Sequence, residues 1–241
     1  MSVLDLSTRT QQYLKVIWGM QEWSDAPVTT TLLAEKIGVR PPTVSDALRK
    51  LSDEGLVHHV RYGAVQLTAD GSSLALEMVR RHRLIETYLA QHLGYEWDQV
   101  HAEAETLEHA VSNMFLERID SLLGHPTRDP HGDPIPSADG TIDMPEVVSL
   151  AAVTPGKKAI RVEQVSDTDP DMLRWFADRG IVVDTELEVV AGEPYSEAVV
   201  VRVVGESPTT ILGPAACRSL RVSPMAGADS SPNERRITAD T

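Results

Sequence analysis

Between residues 82 and 109 the chain carries imidazoles and carboxylates at spacings that suit a transition-metal site. His82 and Glu86 stand four apart, so on a helix they share one face. The segment His101-Ala-Glu-Ala-Glu105-Thr-Leu-Glu108-His109 repeats the theme. If it is helical, a step of about 100° per residue sets Glu105, Glu108 and His109 at about +40°, −20° and +80° from His101. The four then share one arc of about 100°, with Glu103 on the opposite side. Imidazole nitrogen and carboxylate oxygen gathered in this way look like a transition-metal site. The other reading of any single pair is a solvated face on an acidic protein.

These residues must be positioned by helices, and the chain ahead of them reads as helical. Residues 7–23 place Tyr13, Leu14, Ile17, Trp18 and Met20 on a core-facing stripe, with Ser7 or Thr8 as the cap. Thr29 to Ile37 is a second, short helix. After the Gly38-Val39 turn, Arg40-Pro-Pro opens a third helix that turns Val44, Leu48 and Leu51 inward. Thr43, Ser45, Asp46, Arg49 and Lys50 are left outward. That is a helix-turn-helix with a recognition helix. Leu56–Val60 and Ala64–Leu67, around Arg61-Tyr-Gly63, read as a β-hairpin, which makes the unit a winged helix able to contact DNA. In this reading Thr43, Ser45 and Asp46 face base edges or nearby phosphates, and Arg40, Arg49, Lys50 and Arg61 position the backbone. A long helix follows from Thr68-Ala-Asp-Gly71 to Leu93. Its Arg80, Arg81 and Arg83 read either as anion-neutralising groups or as a solvated face. Two further helical stretches lie between Trp97 and Leu123, where Leu107, Val111, Met114 and Phe115 form an apolar face suited to a partner subunit.

Residues 125–146 change character, with five prolines among Gly, Asp and Ser, and read as a linker of restricted flexibility. His125 and His131 are assigned there as polar linker residues. Lys158–Val165, Glu186–Val190, Ala198–Val204 and Thr209–Leu212 are candidate strands, with Asp169–Arg179 a short helix, which suggests a small β-barrel. The polar residues near the C-terminus read as a disordered tail. The expected organisation is α+β: a winged helix-turn-helix in residues 1–71, a helical metal-binding and dimerisation domain in 72–124, the linker in 125–146, a Src-homology-3-like barrel in 147–222 and the tail in 223–241.

The formal net charge of −14 is unevenly spread. Residues 1–93 hold 10 Lys/Arg and 10 Asp/Glu, and the remainder holds 12 against 26, so the acidity does not exclude DNA at the N-terminal part. A single cysteine, Cys217, excludes an internal disulfide, and no apolar run is long enough to span a membrane. The expected location is the cytoplasm, with no membrane partner and no organic cofactor. No phosphate-loop, dinucleotide or nucleophile-elbow motif is present. A metal-dependent hydrolase and a winged-helix sensor of an organic ligand are the rival classes.

Several motifs in fixed order carry a resemblance. His-Arg-Leu-x-Glu at 82–86, Val-His-x-Glu-Ala…Glu-His at 100–109, and Asp-Pro-His-Gly-Asp-Pro-Ile-Pro at 129–136 stand between a winged helix and a small barrel. The chain thereby resembles the diphtheria toxin repressor family of metal-dependent transcription repressors over residues 5–222. Tyr-Leu-Lys-Val-Ile-Trp at 13–18 and Arg-Arg-His-Arg-Leu-Ile-Glu at 80–86 make it most similar to manganese-responsive members. The resemblance implies a homodimer on double-stranded operator DNA, repression of metal-uptake genes, and two metal sites per subunit for Mn²⁺, with Fe²⁺ as the alternative. One site would use His82, Glu86 and His101, with Gln164 and Asp167 from the barrel. The other would use Gln12, Glu105, Glu108 and His109. Iron-responsive members carry Met and Cys where this chain has Gln12 and Glu105, and compact manganese regulators carry Glu where it has Lys15.

Overall fold

Helix α1 (Thr8–Trp23) begins where the Ser7 hydroxyl accepts from Thr10 N, and it buries Tyr13, Leu14 and Ile17. α2 (Thr30–Ile37) is capped in the same way by Thr29 and stopped by Gly38, whose φ of 75° is left-handed and favours glycine. α3 (Pro41–Asp53) starts on proline and turns Val44, Leu48 and Leu51 into a core shared with α1 and with β1 (Val57–His59) and β2 (Val65–Leu67). The two strands pair antiparallel as the wing. The computed structural model describes residues 2–59, 63–154, 159–193 and 196–224, and the chain divides into two units between Met144 and Pro145. Arg61 and the expected tail from residue 225 onward lie outside the described residues.

α4 (Ala69–Leu93) runs unbroken for 25 residues, from the Thr68 cap to left-handed Gly94. Its first turn is pressed against the hairpin. Thr68 N donates to Leu56 O at 3.0 Å, and a Cβ at position 71 would lie 2.0 Å from that same oxygen, so only glycine fits there. α5 (Val100–Leu107) is shorter than the alternation of ligands suggests. Glu108 N still bonds Ala104 O, but residues 108–110 form a turn, and His109 leaves the helical arc. The expected single arc of four side chains is therefore corrected to three on or at the end of the helix and one beyond it. α6 (Asn113–Leu122) is capped by Ser112. The expected apolar face is split: Leu107 and Val111 pack on Ile85, Leu89 and Leu116, whereas Met114 and Phe115 are 69% and 44% exposed beside Leu122 at 59%.

Residues 129–136 are not a linker. They fold back on α4 and are nearly all buried. Asp129 Oδ1 accepts from His131 N (2.8 Å) and Asp133 N (3.0 Å), which closes the loop locally. Arg83 donates to Pro134 O and Arg80 to Pro136 O, both at 2.6 Å. Arg83 is itself buried, 2.6 Å from Glu22 and 3.4 Å from Asp133, with its guanidinium over the Trp18 ring. Arg80 and Arg83 thus neither await phosphate nor face solvent. They hold the loop, because a buried guanidinium requires carboxylates and carbonyls around it.

The second unit is a six-stranded antiparallel sheet of the Src-homology-3-like kind: β3 (Val148–Ser149), β4 (Ala159–Val165), β5 (Glu186–Val190), β6 (Val199–Val203), β7 (Thr209–Leu212) and β8 (Leu220–Pro224), in the order β3-β8-β4-β5-β6-β7. α7 (Pro170–Ala177), capped by Asp169, follows β4, and α8 (Pro214–Arg218) precedes β8. Gln164 lies in β4, just past a bulge against β8, where it accepts from Arg221; Asp167 lies in the following segment. The α+β class holds. No helix among the described residues is long and apolar enough to cross a membrane.

Candidate metal centre

α4 sets His82 and Glu86 one turn apart on its buried face, and α5 brings His101 to them. His82 Nε2 stands 2.9 Å from Glu86 Oε1 and 3.1 Å from His101 Nδ1, and the third side of the triangle, His101 Nδ1 to Glu86 Oε1, is 3.4 Å. Ligands about 2.1 Å from a divalent ion and at right angles to each other stand about 3.0 Å apart. Both Glu86 oxygens are buried and complete no hydrogen bond, a costly state that a cation would relieve. Burial alone would push the Glu86 carboxyl up; His82 and His101 outweigh it and hold it well below the ordinary glutamate range. These three residues fit a divalent ion. His82 is oriented from behind: its Nδ1 lies 2.5 Å from Glu108 Oε2, so with that proton donated to Glu108 the Nε2 lone pair faces the triangle.

The second expected set behaves differently. Lys15, one turn along α1 from Gln12, puts its ammonium 2.7 Å from Glu105 Oε1, 2.7 Å from Glu108 Oε1 and 2.9 Å from Glu108 Oε2. Its Nζ is also 3.4 Å from His82 Nδ1. Gln12 offers an N–H to Glu105 at 3.5 Å, and His109 Nδ1 bonds Gln11 Oε1 at 2.6 Å, leaving Nε2 3.4 Å from Glu108 Oε1. Burial pulls the Lys15 ammonium down, but Glu108 and Glu105 together hold it above the ordinary lysine value. Burial also raises Glu105 and Glu108, which Lys15 and His82 more than reverse. Arg81 fixes the turn carrying Glu108 and His109, donating to Glu108 O at 3.0 Å, to Asn113 Oδ1 at 2.7 Å and to Val111 O. Among the described residues, Glu105, Glu108 and His109 do not close on one point. With Lys15 in place this set does not fit a second divalent ion.

Other residues near these sites escape sequence reasoning. His131, expected to be a polar linker residue, is fully buried; its Nε2 donates to Trp97 O at 2.7 Å, and its Nδ1, without a hydrogen-bond partner, lies 3.9 Å from Glu86 Oε2. It stands in a run of Pro, Gly and Asp with no periodicity to reveal burial. Asp129 is also near Glu86, but it already serves two backbone N–H groups and lies 3.6 Å from Arg83, which disfavours a cation there. Arg9, exposed on α1, donates to Thr43 O at the start of α3.

On α3, Arg40, Asp46, Arg49 and Lys50 are exposed, with Asp46 and Arg49 paired at 3.2 Å and Lys50 3.7 Å from Glu54. Thr43 is half-buried, and the Ser45 hydroxyl bonds back to Pro41 O. A winged helix-turn-helix joined by one continuous helix to a partly buried imidazole–carboxylate triangle defines a metal-responsive DNA-binding regulator.

Comparison with known proteins agrees. Residues 5–65 match the model "Iron dependent repressor, N-terminal DNA binding domain", residues 68–137 match "Iron dependent repressor, metal binding and dimerisation domain", and residues 148–224 match "FeoA domain". The iron-dependent repressor IdeR of Mycobacterium leprae is 30% identical over 77% of this chain and 85% of its own length. The diphtheria toxin repressor of Corynebacterium efficiens is also 30% identical, over 77% and 84%. Among solved structures, a manganese-dependent transcriptional repressor in complex with manganese is 49% identical with a TM-score of 0.85, covering 90% of this chain and all of that one. The manganese regulator SloR is 31% identical with a TM-score of 0.76, over 90% and 98%. The chain belongs to the diphtheria toxin repressor family. It is a metal-dependent transcriptional repressor of that family, whose members bind DNA and dimerise, and not an enzyme.

Proposed function

We propose that this protein is a manganese-dependent repressor that binds operator DNA in the cytoplasm as a metal-activated homodimer and controls metal-uptake genes. The observation that carries the metal assignment is the donor set. His82, Glu86 and His101 supply nitrogen and oxygen only, and no thioether or thiolate stands at residues 12 or 105. Oxygen and imidazole suit Mn²⁺, whereas sulfur draws softer ions. The manganese repressors among the similar structures support this reading, and the iron-dependent relatives at 30% identity keep Fe²⁺ as its alternative.

A bound ion would tie α4 to α5 through His82, Glu86 and His101. For that to control DNA binding, metal must favour the DNA-competent arrangement, and DNA must tighten metal by the same factor. Exposed Met114, Phe115 and Leu122 on α6 support a dimer contact there. The test is a gel shift on a two-fold duplex from the gene's own upstream region, with chelator, Mn²⁺ or anaerobic Fe²⁺ at constant ionic strength. Mn²⁺ is expected to give the tightest binding. Equal affinity in chelator and in excess Mn²⁺ would overturn the proposal.

A further inference from the structure

We propose that Lys15 is a tethered competitor for the second metal position, so that a divalent ion binds between Glu105 and Glu108 only by expelling the lysine ammonium. The inference rests on the metal-responsive reading above. It comes from a disagreement: the family relationship implies a second ion, and the residues present hold a cation of their own.

The geometry makes the two occupants exclusive. Lys15 Nζ lies 2.7 Å from one oxygen of each carboxylate. An ion on those same oxygens at about 2.1 Å could be no more than about 4.8 Å from the ammonium. Glu108 is fully buried and Lys15 nearly so, while Glu105 is 36% exposed, so water screens that repulsion only in part. Charge leads to the same conclusion. Glu105, Glu108 and the ammonium leave one negative charge; an ion in place of the ammonium balances the pair, and both together leave the site positive. Among the described residues, no lysine or arginine is paired with Glu86, whose ion-pair partners are the imidazoles of His82, His101 and His131. The ions therefore load in order, the first at His82–Glu86–His101 and the second against the lysine. Lys15 also links α1 to the end of α5, so the second ion replaces one bridge between those helices with another.

The experiment is a Mn²⁺ titration at fixed pH, following the electron paramagnetic resonance signal of free Mn²⁺. It compares the wild-type protein with Lys15→Met and with Lys15→Arg. Wild type should take one ion tightly and a second weakly. Lys15→Met should tighten the second on the order of tenfold or more, because a fixed opposing charge has gone. Lys15→Arg should behave as wild type. Removing the ammonium leaves Glu108 buried without it, so Lys15→Met could lose its fold. A second measurement then decides on the wild-type protein. With diamagnetic Cd²⁺, the side-chain NMR signal of Lys15 should hold through the first equivalent and move to solvent-exposed values through the second. Two equally tight ions in wild type, an isotherm unchanged in a folded Lys15→Met, or a Lys15 signal unmoved with two ions bound would each overturn the inference while leaving the metal response intact. No Mn²⁺ binding by any of the proteins would instead overturn the functional reading, and this inference with it.

Discussion

His82 Nδ1 and Glu108 Oε2 lie 2.5 Å apart and join the middle of α4 to the end of α5. Through this contact a residue expected to be a ligand of the second site acts on the first. A carboxylate behind a metal-binding imidazole fixes its tautomer and raises its basicity. Glu108→Gln should therefore weaken the first Mn²⁺ by about tenfold to a hundredfold with His82, Glu86 and His101 intact. Equilibrium dialysis at sub-stoichiometric metal measures it. An unchanged first-ion affinity would show that other contacts set the ring of His82.

Arg83 is the hub of the loop that covers α4. Replacing it with Met leaves Glu22, Asp129 and Asp133 facing a buried apolar chain. Breaking such a buried network from one side typically costs about 3–5 kcal/mol. Urea denaturation of the metal-free variant should show a loss of that size. A loss below about 1 kcal/mol would mean that the carboxylates find solvent.

The metal-free protein should be most stable in a bounded pH window. Glu86, Glu105 and Glu108 are held below the ordinary glutamate value. Their contribution is complete above that value, about 4.3, and is lost as pH falls through their lowered folded-state values. His82 is the opposite case: burial works against its charge, but Glu86 and Glu108 raise it overall. Its contribution is complete below about 6.5 and is lost as pH rises through the raised folded-state value. Denaturation midpoints in chelator should decline on both sides of that interval; a midpoint rising steadily with pH would contradict the alkaline arm.

Arg49 sits on the exposed face of α3, remote in role from the metal ligands. Arg49→Ala should weaken operator binding and leave metal stoichiometry unchanged. If the residue contacts phosphate, the salt slope should fall by about one unit; if it reads guanine, about 1–3 kcal/mol should vanish at one base position. Equal affinity for every duplex and salt would place α3 away from the groove.

Local signals in the sequence were enough for the elements that carry caps and periodicity. Ser7, Thr29 and Thr68 each mark a helix start, and Gly38 and Gly94 each mark an end. The spacing of His82 and Glu86 put that pair on one face, because α4 is long and regular; His101 joined it only through the family resemblance. What stayed hidden depends on contacts distant in sequence. Lys15 meets Glu105 across 90 positions, and nothing in the α1 pattern separates it from a solvated lysine. The Asp-Pro-His-Gly-Asp-Pro run reads as a linker because Pro and Gly break every period, although its carboxylate and carbonyls are what Arg83 requires. Strands β3 and β8 were missed because the first is two residues long and the second follows directly on a helix.

Gly71 gives α4 a bearing on the wing. Because the helix touches the backbone of Leu56 at that glycine and holds His82 eleven residues further on, it works as a rod with one end against the wing. The arm between the two is about 16 Å at 1.5 Å per residue. A tilt of about 5° about the ligand end would displace the glycine end by about 1.4 Å, half the length of a hydrogen bond. One stiff rod is thus enough to carry an ångström-scale adjustment from imidazole to wing, with no relay of intermediate side chains.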